Sequence, residues 1–138
     1  MANDIVKGMG FSHMALGVSD FDKSMKFYTD LGLKLYAQWG EGDSRVALLD
    51  IGDGSKLEIF AGKKDMPIEG CRWMHFAFAV QDVEKAYATA LEAGAVAFKP
   101  PYELPLASSP IRLTLRIAFV KGPDGEELEF FKQIVNKF

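Results

Sequence analysis

The chain contains two histidines, His13 and His75, and both stand beside alternating apolar residues, in HMALGV and HFAFAV. Two glutamates are placed in equally matched settings. Glu58 interrupts the apolar stretch LEIF and Glu129 the stretch LEFF, and the turns Asp53-Gly54 and Asp124-Gly125 precede them by the same interval. A carboxylate among apolar neighbours is costly to bury unless it is paired or bound to a metal. Imidazole and carboxylate together suit divalent first-row metals. Taken singly, each residue has an ordinary reading: a hydrogen-bonded core histidine or a solvent-facing strand glutamate. The matched set of four points instead to one shared site that binds a divalent metal.

The matching extends over the whole chain. Sliding the sequence by 62 residues lays HMALGVSDFDKSMKFYTDLG over HFAFAVQDVEKAYATALEAG, so that His13 falls on His75, Asp20 on Asp82 and Gly32 on Gly94. Sliding it by 71 lays SRVALLDIGDGSKLEIF over LRIAFVKGPDGEELEFF, so that Arg45 falls on Arg116 and Glu58 on Glu129. The difference of nine residues falls in the interval containing KPPYELPLASSP, whose prolines and serines predict a loop insertion. One domain built of two copies follows, with module 1 at about 10–61, a linker at 62–72 and module 2 at about 73–133.

Each copy reads as βαβββ. Alternation over 11–18 predicts a strand, Asp20 caps the following helix, and Phe21, Met25 and Tyr28 (or Leu31) recur at helical spacing until Gly32 stops it. Strands follow at 34–39, 45–51 and 56–61, with Gly52-Asp53-Gly54 as a tight turn. The second copy predicts strands at 74–80, near Val96, at 112–121 and at 127–132, with a helix over 82–93. Because side chains alternate across a strand, the larger apolar set packs under the helix and His13, Glu58, His75 and Glu129 share the opposite, inward parity. The fold class is α+β: two tandem modules with cupped mixed sheets around a metal-binding cavity. Arg45 and Arg116 are repeat-matched as well, and suit either a cationic rim for an anionic substrate or salt bridges at the module junction. Trp39, Trp73 and Tyr102 suit core packing or the wall of an apolar pocket.

Composition excludes several classes. With 138 residues, 49% hydrophobic and 25% charged, the chain has the make-up of an ordinary globular domain. A net charge of −3 offers no general attraction to nucleic acid or anionic membranes. Apolar runs stop short of membrane-spanning length, no leader pattern opens the chain, and a lone Cys71 fits a reducing cytoplasm.

The quoted repeats, with GPDGEELEFF closing the second, resemble the vicinal oxygen chelate superfamily, which includes glyoxalase I, methylmalonyl-CoA epimerase, extradiol dioxygenases and bleomycin-binding proteins. The resemblance covers about 10–133. It implies metal ligands at His13, Glu58, His75 and Glu129, a set most like that of glyoxalase I, with one divalent ion per site: nickel, cobalt or zinc, with manganese a further candidate. It implies a lyase or isomerase that moves a proton through a metal-bound enediolate or enolate, with Glu129 and Glu58 as the catalytic bases and Arg45 and Arg116 as substrate-binding groups. Epimerisation of the methylmalonyl-CoA type and non-catalytic binding, as in bleomycin resistance, are the alternatives. Oxygenases of the superfamily use two histidines and one carboxylate, so a fourth ligand argues against that chemistry. Gly17 and Gly62 stand where glyoxalase I carries an arginine and an asparagine for glutathione, which predicts weak glutathione dependence. A small-molecule substrate and a homodimer with metal sites shared between chains complete the expectation.

Overall fold

The alternation that carries the ligand candidates also builds the strands that hold them. The structure is a computed structural model that describes residues 2–30, 32–65, 73–123 and 125–135, the last by its backbone. Leu31, Asp124 and most of the expected linker, with Cys71, lie outside the described residues. In chain order the elements are β1 (Gly10–Gly17), α1 (Phe21–Asp30), β2 (Lys34–Trp39), a short 3-10 turn (Gly42–Ser44), β3 (Val46–Asp50), β4 (Lys56–Phe60), β5 (Trp73–Ala79), α2 (Val83–Glu92), β6 (Val96–Pro105), β7 (Ser109–Pro110), β8 (Leu113–Lys121) and β9 (Glu127–Val135). The α+β class and the doubled βαβββ order stand as the sequence predicts. Among the described residues no helix is long and apolar enough to cross a membrane.

Two compact units divide the chain. The His13 unit comprises His13–Met74 with Ala107–Arg112, and the His75 unit comprises Met1–Ser12, His75–Leu106 and Leu113–Phe138. In the His13 unit the strand order is β1-β4-β3-β2-β7. Its β1–β4 pair is parallel, and β3–β4, β2–β3 and β2–β7 are antiparallel. The His75 unit has the order β6-β8-β9-β5, with β5–β9 parallel and β8–β9 and β6–β8 antiparallel. Strand pairing within each unit is therefore mixed.

Each helix covers one face of its own sheet. In the His13 unit Val18, Phe21, Ala47, Leu49, Leu57 and Ile59 form a buried cluster, joined by Met25 and Tyr28 of α1. In the His75 unit Val80, Val83, Ala86, Ala118, Val120 and Phe130 do the same, and Val6 of the N-terminal segment enters this cluster. Full burial of such aliphatic side chains contributes about 1.5–3 kcal/mol each. The caps repeat too: the Asp20 carboxylate accepts from the Lys23 amide at 3.0 Å, and the Asp82 carboxylate accepts from the Lys85 amide at 3.0 Å.

The segment expected to be a loop insertion is different. Most of KPPYELPLASSP is extended, because β6 runs for ten residues to Pro105 and β7 pairs Ser109 and Pro110 with Gln38 and Ala37. Proline breaks the interior of a sheet but is tolerated at an edge, and β6 has only β8 as its neighbour in the His75 unit.

Candidate metal centre

Parallel pairing fixes one glutamate and one histidine in each unit. Ala15 is the register partner of Glu58, and Ala77 that of Glu129, so each histidine stands one pleat before a small residue that borders the carboxylate. Across the antiparallel side, Glu58 faces Leu48 and Glu129 faces Phe119. Leu57 and Ile59 enter the cluster under α1, and Leu128 and Phe130 the cluster under α2, which leaves Glu58 and Glu129 on the opposite face of their strands, as parity predicts.

The two contacts are alike in length. His13 Nε2 lies 3.2 Å from Glu58 Oε1, and His75 Nε2 lies 3.2 Å from Glu129 Oε1. His13, Glu58 and Glu129 are buried, and the His75 side chain is 7% exposed. Buried ionisable groups are costly to assemble unless they are paired or bound to a metal. The His75 and Phe119 rings meet in a T-shaped arrangement, with centroids 5.5 Å apart. Tyr102 belongs to the same surroundings. Burial first, and the nearby charge of Glu129 second, raise its phenol above the usual tyrosine value, so the hydroxyl remains a donor.

Arg45 and Arg116 are placed elsewhere. Arg45 shares parity with Ala47 and Leu49, and Arg116 with Ala118 and Val120, which puts both on the helix-bearing faces, away from the His–Glu contacts. Arg45 Nη1 donates to Asp22 Oδ1 at 3.0 Å and its guanidinium lies 4.5 Å from the Phe21 ring centroid. Arg116 donates from Nε to Glu84 Oε1 at 2.8 Å and from Nη2 to the same oxygen. Asp22 and Glu84 are themselves repeat-matched, so each arginine braces its sheet to the first turn of its helix. The substrate-binding expectation for these two residues thus meets a placement suited to the salt-bridge alternative. Arg45 also lines a groove of about 510 Å³ with Gln38, Trp39, Glu41, Ala107 and Ser109. Trp73 is 47% exposed.

Sequence reasoning passed over Lys99. Its ammonium sits 5.1 Å from the centroid of Phe119, the ring that touches His75. One signal was available: the offset of 62 lays Lys99 on Ala37, a conspicuous mismatch between two otherwise similar copies.

This doubled module with its His–Glu contacts belongs to a known class. The model of the Glyoxalase/Bleomycin resistance protein/Dioxygenase superfamily matches residues 10–130, and the chain belongs to that superfamily. The chain is 30% identical over 137 residues to the uncharacterized protein YraH of Bacillus subtilis, covering 91% of this chain and all of that one. It is 30% identical over 129 residues to a probable lactoylglutathione lyase of Vibrio cholerae, covering 87% of this chain and 88% of that one. Methylmalonyl-CoA epimerase from Mycobacterium tuberculosis shares the fold, with a TM-score of 0.69 and 20% identity, over 95% of this chain and 91% of that one.

Proposed function

We propose that the chain is a divalent-metal-dependent lyase or isomerase of glyoxalase type that moves a proton on a small oxygenated substrate. The observation that carries this reading is the repeat-matched pair of buried His–Glu contacts, both at 3.2 Å. Imidazole nitrogen and carboxylate oxygen held side by side in this way are donors that a divalent ion would accept. His13, His75 and Glu129 are proposed ligands. With Glu58 they make two neutral imidazoles and two carboxylates, a set suited to nickel, cobalt, zinc or manganese. When bound, the ion would supply Lewis-acid stabilisation of negative charge on a substrate oxygen.

The chain's own residues do the rest. Glu129 accepts a proton from the carbon next to a carbonyl and returns it to the neighbouring carbon. Glu58, the equivalent residue of the other module, does the same from the opposite side. Burial of both glutamates keeps bulk water from intercepting the proton. That two equivalent bases exist favours a second reading, epimerisation, in which one glutamate removes the proton and the other delivers it to the opposite face. A non-catalytic binding protein would need neither base. Metal-reconstituted protein assayed against thiol hemithioacetals, 2-methylmalonyl-CoA and hydroxy-ketones tests the proposal. Turnover that depends on Glu129 and on added metal supports it, while metal-independent binding without turnover replaces it with the binding alternative.

A further inference from the structure

The two modules break their symmetry in one row of residues. In the His13 unit the row across the sheet is Ala15, Glu58, Leu48 and Ala37. In the His75 unit it is Ala77, Glu129, Phe119 and Lys99. Ala37 is fully buried, whereas the equivalent Lys99 is exposed. A cation therefore ends the row that contains the candidate catalytic base.

The backbone of β6 is bent to serve this face. Register shifts fall between Ala97 and Lys99 and again between Lys99 and Tyr102. The first has a counterpart in β2, between Leu35 and Ala37, and so belongs to the module. The second spans Pro100 and Pro101 and has none. Three residues of β6 there oppose two of β8, because Lys99 pairs with Phe119 and Tyr102 with Ile117. Strict alternation would send Lys99 and Tyr102 to opposite faces; the bulge brings both to the Phe119 side. The first shift turns Phe98 the same way, where its ring meets that of Phe119 edge-on at 6.5 Å. Lys99 Nζ lies 5.4 Å from the Phe98 centroid and 5.1 Å from that of Phe119. Lys121 adds a second ammonium 4.7 Å from Phe98, but its cross-strand partner is Glu127. Among the described residues Lys99 lies over two rings and forms no ion pair.

We propose that Lys99 and Tyr102, brought to one face by the Pro100–Pro101 bulge, form the recognition handle for a substrate carboxylate, with Phe98 and Phe119 as the wall for its apolar body. This deepens the function proposed above and rests on it for the reaction, though not for the binding. Lys99 supplies charge as a flexible point cation, and the Tyr102 hydroxyl supplies a directed hydrogen bond. Phe119 stands between the ammonium and His75, so the substrate class is a carboxylate separated from its reactive oxygens by a spacer about as wide as one ring. The cation that the sequence suggests at Arg45 and Arg116 is supplied here by a different residue, on the face that carries the glutamate.

The test uses the full chain, with phenylacetate as probe and phenylacetamide as its neutral match, and binding read by calorimetry with and without Ni²⁺. Wild type is expected to favour phenylacetate by about tenfold, Lys99→Met to abolish that preference, and Tyr102→Phe to weaken phenylacetate by about threefold to tenfold. Lys99→Arg should keep most of the preference. Lys85→Met, which removes the same charge from α2, should keep all of it. Equal affinity for both probes in wild type, a preference that survives Lys99→Met, or one lost equally in Lys85→Met overturns the handle. A wild type that takes up no metal but keeps a Lys99-dependent preference removes the metal-centre reading and leaves the handle standing.

Discussion

At Gly62 the backbone accounts for a departure that the sequence alone could only register. Its φ is +71°, and a Cβ there would come within 2.7 Å of the Asp43 carbonyl oxygen. Any side chain must therefore bear left-handed strain and displace backbone, so an asparagine could not take this place without rearrangement. Gly17, on β1 opposite Phe60, removes the second polar group associated with glutathione. Turnover of the methylglyoxal–glutathione hemithioacetal is therefore expected to be weak, and Gly62→Asn is expected to destabilise the chain without raising it. A spectrophotometric assay of both proteins checks this. A kcat/KM in the ordinary enzyme range of about 10⁴–10⁸ M⁻¹s⁻¹ for wild type would contradict it.

Between elements, the arginine braces show which features of a sheet the sequence reveals. Parity was legible: it placed His13, Glu58, His75 and Glu129 on one side of their strands, and the structure keeps them there. For Arg45 and Arg116 the sequence reading left a cationic rim and salt bridges open, and the structure places them with the apolar residues under α1 and α2. Bulges were not legible, because a bulge shifts the count by one and erases the alternation that would reveal it. For that reason Lys99 and Tyr102 share a face that their spacing denies. The proline-rich insertion read as a loop for a related reason: proline signals a break, yet an edge strand has little ladder to break. One brace gives a stability prediction. Hydrogen bonding from Arg116 holds the Glu84 carboxyl below the usual glutamate value. A lowered folded-state value means that the contribution is present above the ordinary glutamate range and is lost as pH falls through the lowered value. Glu84→Gln should thus lower the thermal midpoint slightly at neutral pH, and the deficit should vanish in acid. A deficit that persists in acid would mean that lost packing, rather than charge, is responsible.

For the whole molecule the question is how two modules, each with one histidine and one glutamate, complete a centre. The homodimer with sites shared between chains that the sequence suggests makes a different prediction from a centre completed within one chain. Each unit supplies one histidine and one glutamate, so either arrangement would gather the same four ligands. With sites shared between chains, mixing His13→Ala protein with Glu129→Gln protein should partly restore activity, whereas no recovery would show that each chain completes its own centre. The central claim, that the two His–Glu contacts are ligands of one metal, is tested most directly by measuring metal content by plasma emission after reconstitution with Ni²⁺ and desalting. Wild type is expected to retain one ion per chain, and His13→Ala, Glu58→Gln, His75→Ala and Glu129→Gln each to retain much less while their circular dichroism stays unchanged. Wild-type stoichiometry in two or more of these variants, or a wild type that retains no metal at all, would contradict the account.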